Sequence, residues 1–186
     1  VDVAKSLEPM ARIMHQQGNL EGALDLYKEA LRIYNLTESS HDVPPDILSC
    51  TVRMLISIGA VHRQQGDIDE AMLVYNDALR RQMEAKGESH VDVARMQQLI
   101  GSAHLENRSL VSARQCFGEA LRLYNINGIP EQDENVVIVK SSLKSIDNPE
   151  RGESSDEAVI GGCSPFNSKA YRRLLGRKAA AVHALE

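Results

Sequence analysis

The sequence predicts an all-α fold built from repeated helix pairs, on three observations. One 15-residue pattern occurs three times, as Gln17–Leu31 (QGNLEGALDLYKEAL), Gln65–Leu79 (QGDIDEAMLVYNDAL) and Asn107–Leu121 (NRSLVSARQCFGEAL). In the middle copy Ala71, Val74, Tyr75, Ala78 and Leu79 fall at i, i+3, i+4, i+7 and i+8, one apolar stripe along a helix. Each copy also follows another helical segment, and the 186 residues include only two Phe and no Trp. That supply suits a solenoid, in which each repeat buries Ala, Leu and Tyr only against its neighbours.

Taken in order, the array spans residues 1–146, with pairs near 1–35, 45–85 and 91–125 and a half pair at 134–146. VDVA occurs at Val1 and again at Val91, 90 residues apart, so the chain opens at the first helix of a pair. It reads as a piece of a longer protein, or one whose N-terminus is missing. In the first pair Pro9 removes a backbone donor inside an apparent helix, which predicts a kink or a late helix start. A polar loop at Asn35–Asp42 accommodates the extra residues of the first spacing, and Pro44-Pro45 restart the chain in a first helical turn. In the second pair Gly66 ends one helix and the Asp67 side chain is placed to cap the next. Ser89 is a candidate cap for the third pair. There Arg108 stands where Gly18 and Gly66 stand, so the left-handed residue is expected to move to Asn107 and the turn to be the loosest of the three. Glu134–Ile146 resembles the first helix of a fourth pair. Residues 147–165 turn to Ser, Gly, Pro and acid, a flexible linker, and residues 166–186 form a basic amphipathic helix with Tyr171, Leu174, Leu175, Val182 and Leu185 on one face.

Composition narrows the function. The net charge of −5 and a pI near 5.7 argue against a nucleic-acid binder. No run of 18 apolar residues exists, so a membrane span is not expected, and no secretory or transit segment is visible. Cys50, Cys116 and Cys163 lie in unrelated settings without metal-ligand spacing, which points to a reducing, intracellular and cytoplasmic location. No P-loop, nucleophile elbow, dinucleotide-binding turn or HExxH helix is present, so no catalysis, cofactor, metal or small-molecule substrate is expected.

The paired helices resemble tetratricopeptide repeats. Small residues stand where paired helices cross: Gly59 and Gly101 in the first helices, then Ala23, Ala71, Ala113 and Ala30, Ala78, Ala120 in the second. Tyr27, Tyr75 and Phe117 supply the aromatic knob. The spacings of 48 and 42 residues, with Gly87, His90, Asp92, Val93 and Ala94 preceding a first helix, are similar to kinesin light chains and nephrocystin-type proteins. The resemblance implies an α-α superhelix of about three and a half pairs plus a C-terminal helix.

It also implies a ligand groove lined by the first helices. Carried over position by position, Lys5, Arg53 and Arg95 are equivalent, and Arg12, Arg63, Lys140 and Lys144 are further groove candidates. Cations in register are what an acidic peptide needs; solvated charges near helix starts give the same pattern. The carboxylate clamp that some members use would fall on Glu8, Arg12, Ser57, Arg95 and Leu99, of which only Arg95 fits. His62 and His104 are equivalent and read as packed or hydrogen-bonded interface histidines; His15, His41, His90 and His183 read as exposed or capping. The resulting expectation is a non-catalytic adaptor or scaffold that grips an acidic peptide or helix. The alternative is a structural subunit of a larger assembly, held by its ends and convex face against neighbouring subunits. The stretch Glu131–Glu157 holds eight acids against three bases and would serve either as a solvated linker or as a pseudo-ligand for the groove. Ser154, ahead of Asp156 and Glu157, would suit an acid-directed kinase. The C-terminal helix would either cap the array or dock elsewhere.

Overall fold

The structure, a computed structural model, describes residues 2–38 and 46–148. Pro44-Pro45, His41, Ser154, Cys163, His183 and the C-terminal helix lie outside the described residues, as does the 147–165 linker beyond its first two positions. The described residues form seven helices: α1 (Asp2–Gln16), α2 (Leu20–Glu38), α3 (Ile47–Gln65), α4 (Ile68–Lys86), α5 (Val91–Glu106), α6 (Leu110–Ile126) and α7 (Glu134–Asp147). Extensive packing joins each helix to its neighbours in sequence, the pattern of a solenoid.

Within each pair the helices approach where the first carries a small residue. A methyl group on Gly59 would lie 2.7 Å from Cδ1 of Tyr75 and closer still to Cε1. One on Gly101 would lie 3.0 Å from Cε1 of Phe117. The equivalent place in α1 is Ala11, fully buried. The aromatic rings therefore occupy the volume that a side chain on the opposite helix would take.

Four turns share one hydrogen-bond pattern. In α3, Gly66 N–H donates to Arg63 O at 3.1 Å and Asp67 N–H to His62 O at 2.9 Å, the paired bonds of a Schellman turn. Gly18 and Gly128 repeat it, each with positive φ. So does Arg108, whose φ of 54° corrects the sequence expectation: Asn107 keeps φ −80°, and the arginine itself adopts the left-handed backbone. Its turn bonds, 3.0 Å to Leu105 O and 2.8 Å from Ser109 N–H to His104 O, are as short as those at Gly66. The turn is as tightly bonded as its glycine counterparts, with the cost moved into the backbone.

Other local expectations are corrected too. Asp67 makes no side-chain cap, because its ψ of 63° lies outside the extended conformation that aims a carboxylate at the next turn. In the first repeat Asn19 Oδ1 does accept from Gly22 N–H, at 3.0 Å. The cap of α5 is His90 rather than Ser89, with Nδ1 accepting from Asp92 N–H at 3.1 Å. Helix α1 runs through Pro9 from Asp2, so the late start does not occur; the ring points to solvent, where the bond that it removes is least missed. Asn35–Glu38, expected in a loop, extends α2, and Glu38 explains why. Its carboxylate accepts from Thr51 Oγ1 of α3 at 2.8 Å and from Arg81 Nη1 of α4 at 2.9 Å, tying three helices together.

Two apolar cores result, and α3 contributes to both. Its Cys50, Met54, Ile58 and Val61 belong with Ala23, Tyr27, Ala30 and Tyr34. Its Val52 and Leu55 belong with α4 to α7, including Tyr75, Ile100, Phe117, Tyr124 and Val139.

Two stability measurements follow. Left-handed backbone costs a non-glycine residue about 1–2 kcal/mol, part of which glycine's freedom in the unfolded chain returns. Arg108→Gly should therefore stabilise by about 0.5–1 kcal/mol and raise Tm by about 2 °C in thermal unfolding followed by circular dichroism; a lowered Tm would contradict the turn geometry. Gly59→Ala should cost about 1–3 kcal/mol by overpacking against Tyr75, whereas Gly66→Ala, facing open space, pays only the backbone term. An unchanged or increased stability of Gly59→Ala in urea titrations would show that the crossing is not sterically limited.

Candidate functional site

The candidate site is a cavity of about 380 Å³ between the first helices of the second and third pairs. Val52 and Ile56 of α3 and Met96 of α5 give it an apolar floor, and Arg53, Lys86 and Arg95 bring three cations to it. Two of the sequence-derived cations, Arg53 and Arg95, thus share one cavity. They do so because a 42-residue offset puts them at equivalent places on α3 and α5, which the helix crossings hold side by side.

Sequence reasoning missed Lys86 and Asp92 as site residues. Lys86 ends α4, just before Gly87 turns the chain. From there its Nζ reaches Asp92 Oδ2 at 2.6 Å, while Arg95 Nη1 meets Oδ1 at 2.7 Å and Gln82 Nε2 donates at 3.2 Å. Burial by itself would raise the Asp92 pKa, but the Lys86 and Arg95 cations outweigh it and hold the carboxyl below its ordinary value. A lysine immediately before a helix-ending glycine, six residues ahead of an aspartate, was the available signal.

The remaining cations are placed differently. Arg53 grips Glu8 of α1 through two bonds of 2.6 and 2.8 Å, which holds its guanidinium above its ordinary pKa. Lys5 pairs with Asp46 at 2.9 Å, Arg63 lies 3.5 Å from Glu106, and Lys140 pairs with Glu131 at 3.0 Å. Arg12 and Lys144 have no carboxylate partner among the described residues. Asp133 caps α7 as His90 caps α5, each accepting from the backbone N–H two residues on. Aligned on those caps, Lys140 and Lys144 take the places of Gln97 and Gly101, and Ile138 takes that of Arg95. They therefore lie on the side of α7 where a second helix of the pair would pack, away from the Arg53/Arg95 cavity.

His62 and His104 both bury Nδ1 without a hydrogen-bond partner, and burial lowers the His104 pKa below 6.5. His15 is partly buried rather than exposed, edge-on to the Tyr27 ring and 2.7 Å from Gln64 Oε1. Among the described residues no group of three or more His, Cys, Asp or Glu is arranged to hold a metal, and no helix is long and apolar enough to cross a membrane.

A stack of helix pairs with small-residue crossings and a groove along its first helices defines a helical-repeat scaffold. Residues 50–126 and 3–38 each match a family model described as tetratricopeptide repeat, together well over half of the chain. The chain belongs to the tetratricopeptide-repeat family, and its 42-residue spacing resembles the kinesin light chain type. Members of this family generally mediate protein–protein interaction and are generally non-catalytic.

Among solved structures, BtubC (BKLC) from P. vanneervenii matches with 21% identity and a TM-score of 0.64 over 79% of this chain and 55% of that one. The apo form of RapI matches with 13% identity and a TM-score of 0.67 over 80% and 38%. The Sgt2 TPR domain from Aspergillus fumigatus matches with 13% identity and a TM-score of 0.52 over 87% and 91%. The chain thus spans about half or less of the length of the first two. No curated protein matches the sequence.

The histidine geometry gives a pH dependence with a definite sign. A folded pKa below the unfolded value means that the unfolded chain binds the proton first, so the His104 contribution is complete above about pH 6.5 and is lost as pH falls toward the folded pKa. Urea titrations across that window should show stability declining with acid, and His104→Gln should flatten the decline. An identical slope in the variant would remove His104 as its source.

Proposed function

We propose that the chain is an adaptor that takes an acidic peptide or helix into the cavity between α3 and α5. The observation that carries this reading is the pair of register-matched arginines, Arg53 and Arg95, on one apolar-floored cavity with Lys86 beside them. The floor supplies a place for an aliphatic or aromatic side chain, and the rim supplies donors for carboxylates. Glu8 and Asp92 hydrogen-bond the guanidinium groups, so a ligand meets donors whose side-chain freedom has already been restricted. Partner recognition of this kind uses no cofactor and no bond-breaking step.

Fluorescence anisotropy of a labelled acidic peptide pool against residues 1–186 tests it. Binding should weaken with added salt and fall about tenfold or more in Arg53→Gln/Arg95→Gln, since each charge-assisted bond lost is worth about 1.5–3 kcal/mol at most. Circular dichroism checks that the variant is folded. No binding by the folded wild-type chain, or binding that the double variant leaves intact, would refute the proposal.

A further inference from the structure

The turn within the third pair differs in chemistry from the two before it. Aligned on Ala23, Ala71 and Ala113, Arg108 stands in place of Gly18 and Gly66, Val111 in place of Glu21 and Asp69, and Arg114 in place of Leu24 and Met72. Residues 17–24 carry the acid Glu21, and residues 65–72 carry Asp67, Asp69 and Glu70, without a base in either. Residues 107–114 carry two arginines and no acid. Val111 is 63% exposed and Leu110 47%, and both lie within one helical turn of Arg114, whose side chain is 61% exposed. Arg108 is exposed beside them. Glu21 and Asp69 are exposed as well, so the exposure of Val111 belongs to its place in every repeat and not to the end of the array. What sets the third pair apart is an apolar residue at that place, flanked by arginines.

The structure also brings a particular segment of the chain to this patch. Arg114 Nη2 meets Asp147 Oδ1 at 2.6 Å, and Asp147 is the last residue of α7. The chain thus leaves the array one ion pair away from Leu110 and Val111. Residues 153–160, ESSDEAVI, begin six residues further on and lie beyond the described ones. Glu153, Asp156 and Glu157 match the arginines in charge, and Val159 and Ile160 match Leu110 and Val111 in apolarity. Six residues reach at most about 20 Å, and so short a tether gives an effective concentration of about millimolar, at which weak surface contacts become populated. We propose that residues 153–160 dock back on the third turn, with the acids at Arg108 and Arg114 and the aliphatic side chains on Leu110 and Val111. This turn lies about 20 Å along α5 from Arg95, so acids held there are kept away from the cavity between α3 and α5. The proposal stands independently of the acidic-peptide reading.

A nitroxide on Cys163, three residues past Ile160, reports where the segment sits in residues 1–186. Cys116→Ser leaves the buried Cys50 as the one other thiol. In isotopically enriched chain the amide signals of residues 107–114 should be broadened more than those of Arg53 and Arg95. That excess should fall about threefold or more in Arg108→Glu/Val111→Glu, and should shrink with added salt. Glu153→Gln/Asp156→Asn/Glu157→Gln, which leaves the array untouched, should lower it in the same way. Circular dichroism melting curves check that the variants remain folded. Absence of the excess, or an excess that neither variant changes, would overturn the inference, as would broadening centred on Arg53 and Arg95. Broadening that arises only between molecules, when labelled unenriched chain is mixed with unlabelled enriched chain, would overturn it in favour of a second copy.

Discussion

The close approach of paired helices is the constraint on which the rest of the structure depends. At the α3–α4 crossing the Tyr75 ring lies over Gly59, and at α5–α6 the Phe117 ring lies over Gly101. Each ring fills the space that a side chain would need, so the spacing within a pair is set by one aromatic thickness. Alanines at Ala71, Ala78, Ala113 and Ala120, all fully buried, keep the remaining contacts equally close. Only because this spacing recurs do α3 and α5 stand side by side in register. Only because they stand in register do Arg53, Arg95 and Lys86 open onto one cavity.

The groove is basic by count yet largely neutralised by its own chain. Glu8 holds Arg53, Asp92 bridges Lys86 and Arg95, Asp46 holds Lys5, and Glu106 lies near Arg63. On the adaptor reading proposed above, a partner's carboxylates would exchange with, or add to, carboxylates already in place rather than meeting bare cations. Exposed ion pairs are individually worth about 0–1 kcal/mol, so such exchange carries little penalty and little indiscriminate attraction. On that reading, selectivity would rest on the combination of charge with the apolar floor of Val52, Ile56 and Met96.

Much of the fold could be read from the sequence because its signals are local and repeated. The Ala–aromatic–Ala spacing marks each second helix, and glycine marks three of the four Schellman turns. What could not be read depended on longer-range geometry. Arg108 takes the left-handed backbone because it stands at the position that closes the paired turn bonds to Leu105 O and His104 O, overriding the residue preference that favoured Asn107. Asp67 fails as a cap because the turn that it completes fixes its ψ. Helix α2 extends to Glu38 because Thr51 and Arg81, distant in sequence, meet its carboxylate. At the site, Arg53 and Arg95 came from carrying over the groove positions that the family resemblance implies, whereas Lys86 enters from the end of a second helix, off that pattern.

The division of the apolar interior into two clusters that share α3 bears on how the chain opens. Helices α1 and α2 are joined to the remainder chiefly through one face of α3, with the Glu38 bonds to Thr51 and Arg81, the Glu8–Arg53, Lys5–Asp46 and His15–Gln64 contacts, and Leu31 and Val74 packing across the two clusters. Loss of the first pair would expose Met54, Ile58 and Val61 but take only Leu31 from the cluster that Val52 and Leu55 form with α4 to α7. The array therefore has a natural line of partial separation, and it runs along one wall of the groove, where Arg53 of α3 meets Glu8 of α1. Fraying from that end would release Arg53 from its carboxylate while the cavity between α3 and α5 kept its shape. Local opening of the first pair and the charge carried by Arg53 are thus coupled through one contact, the Glu8–Arg53 pair.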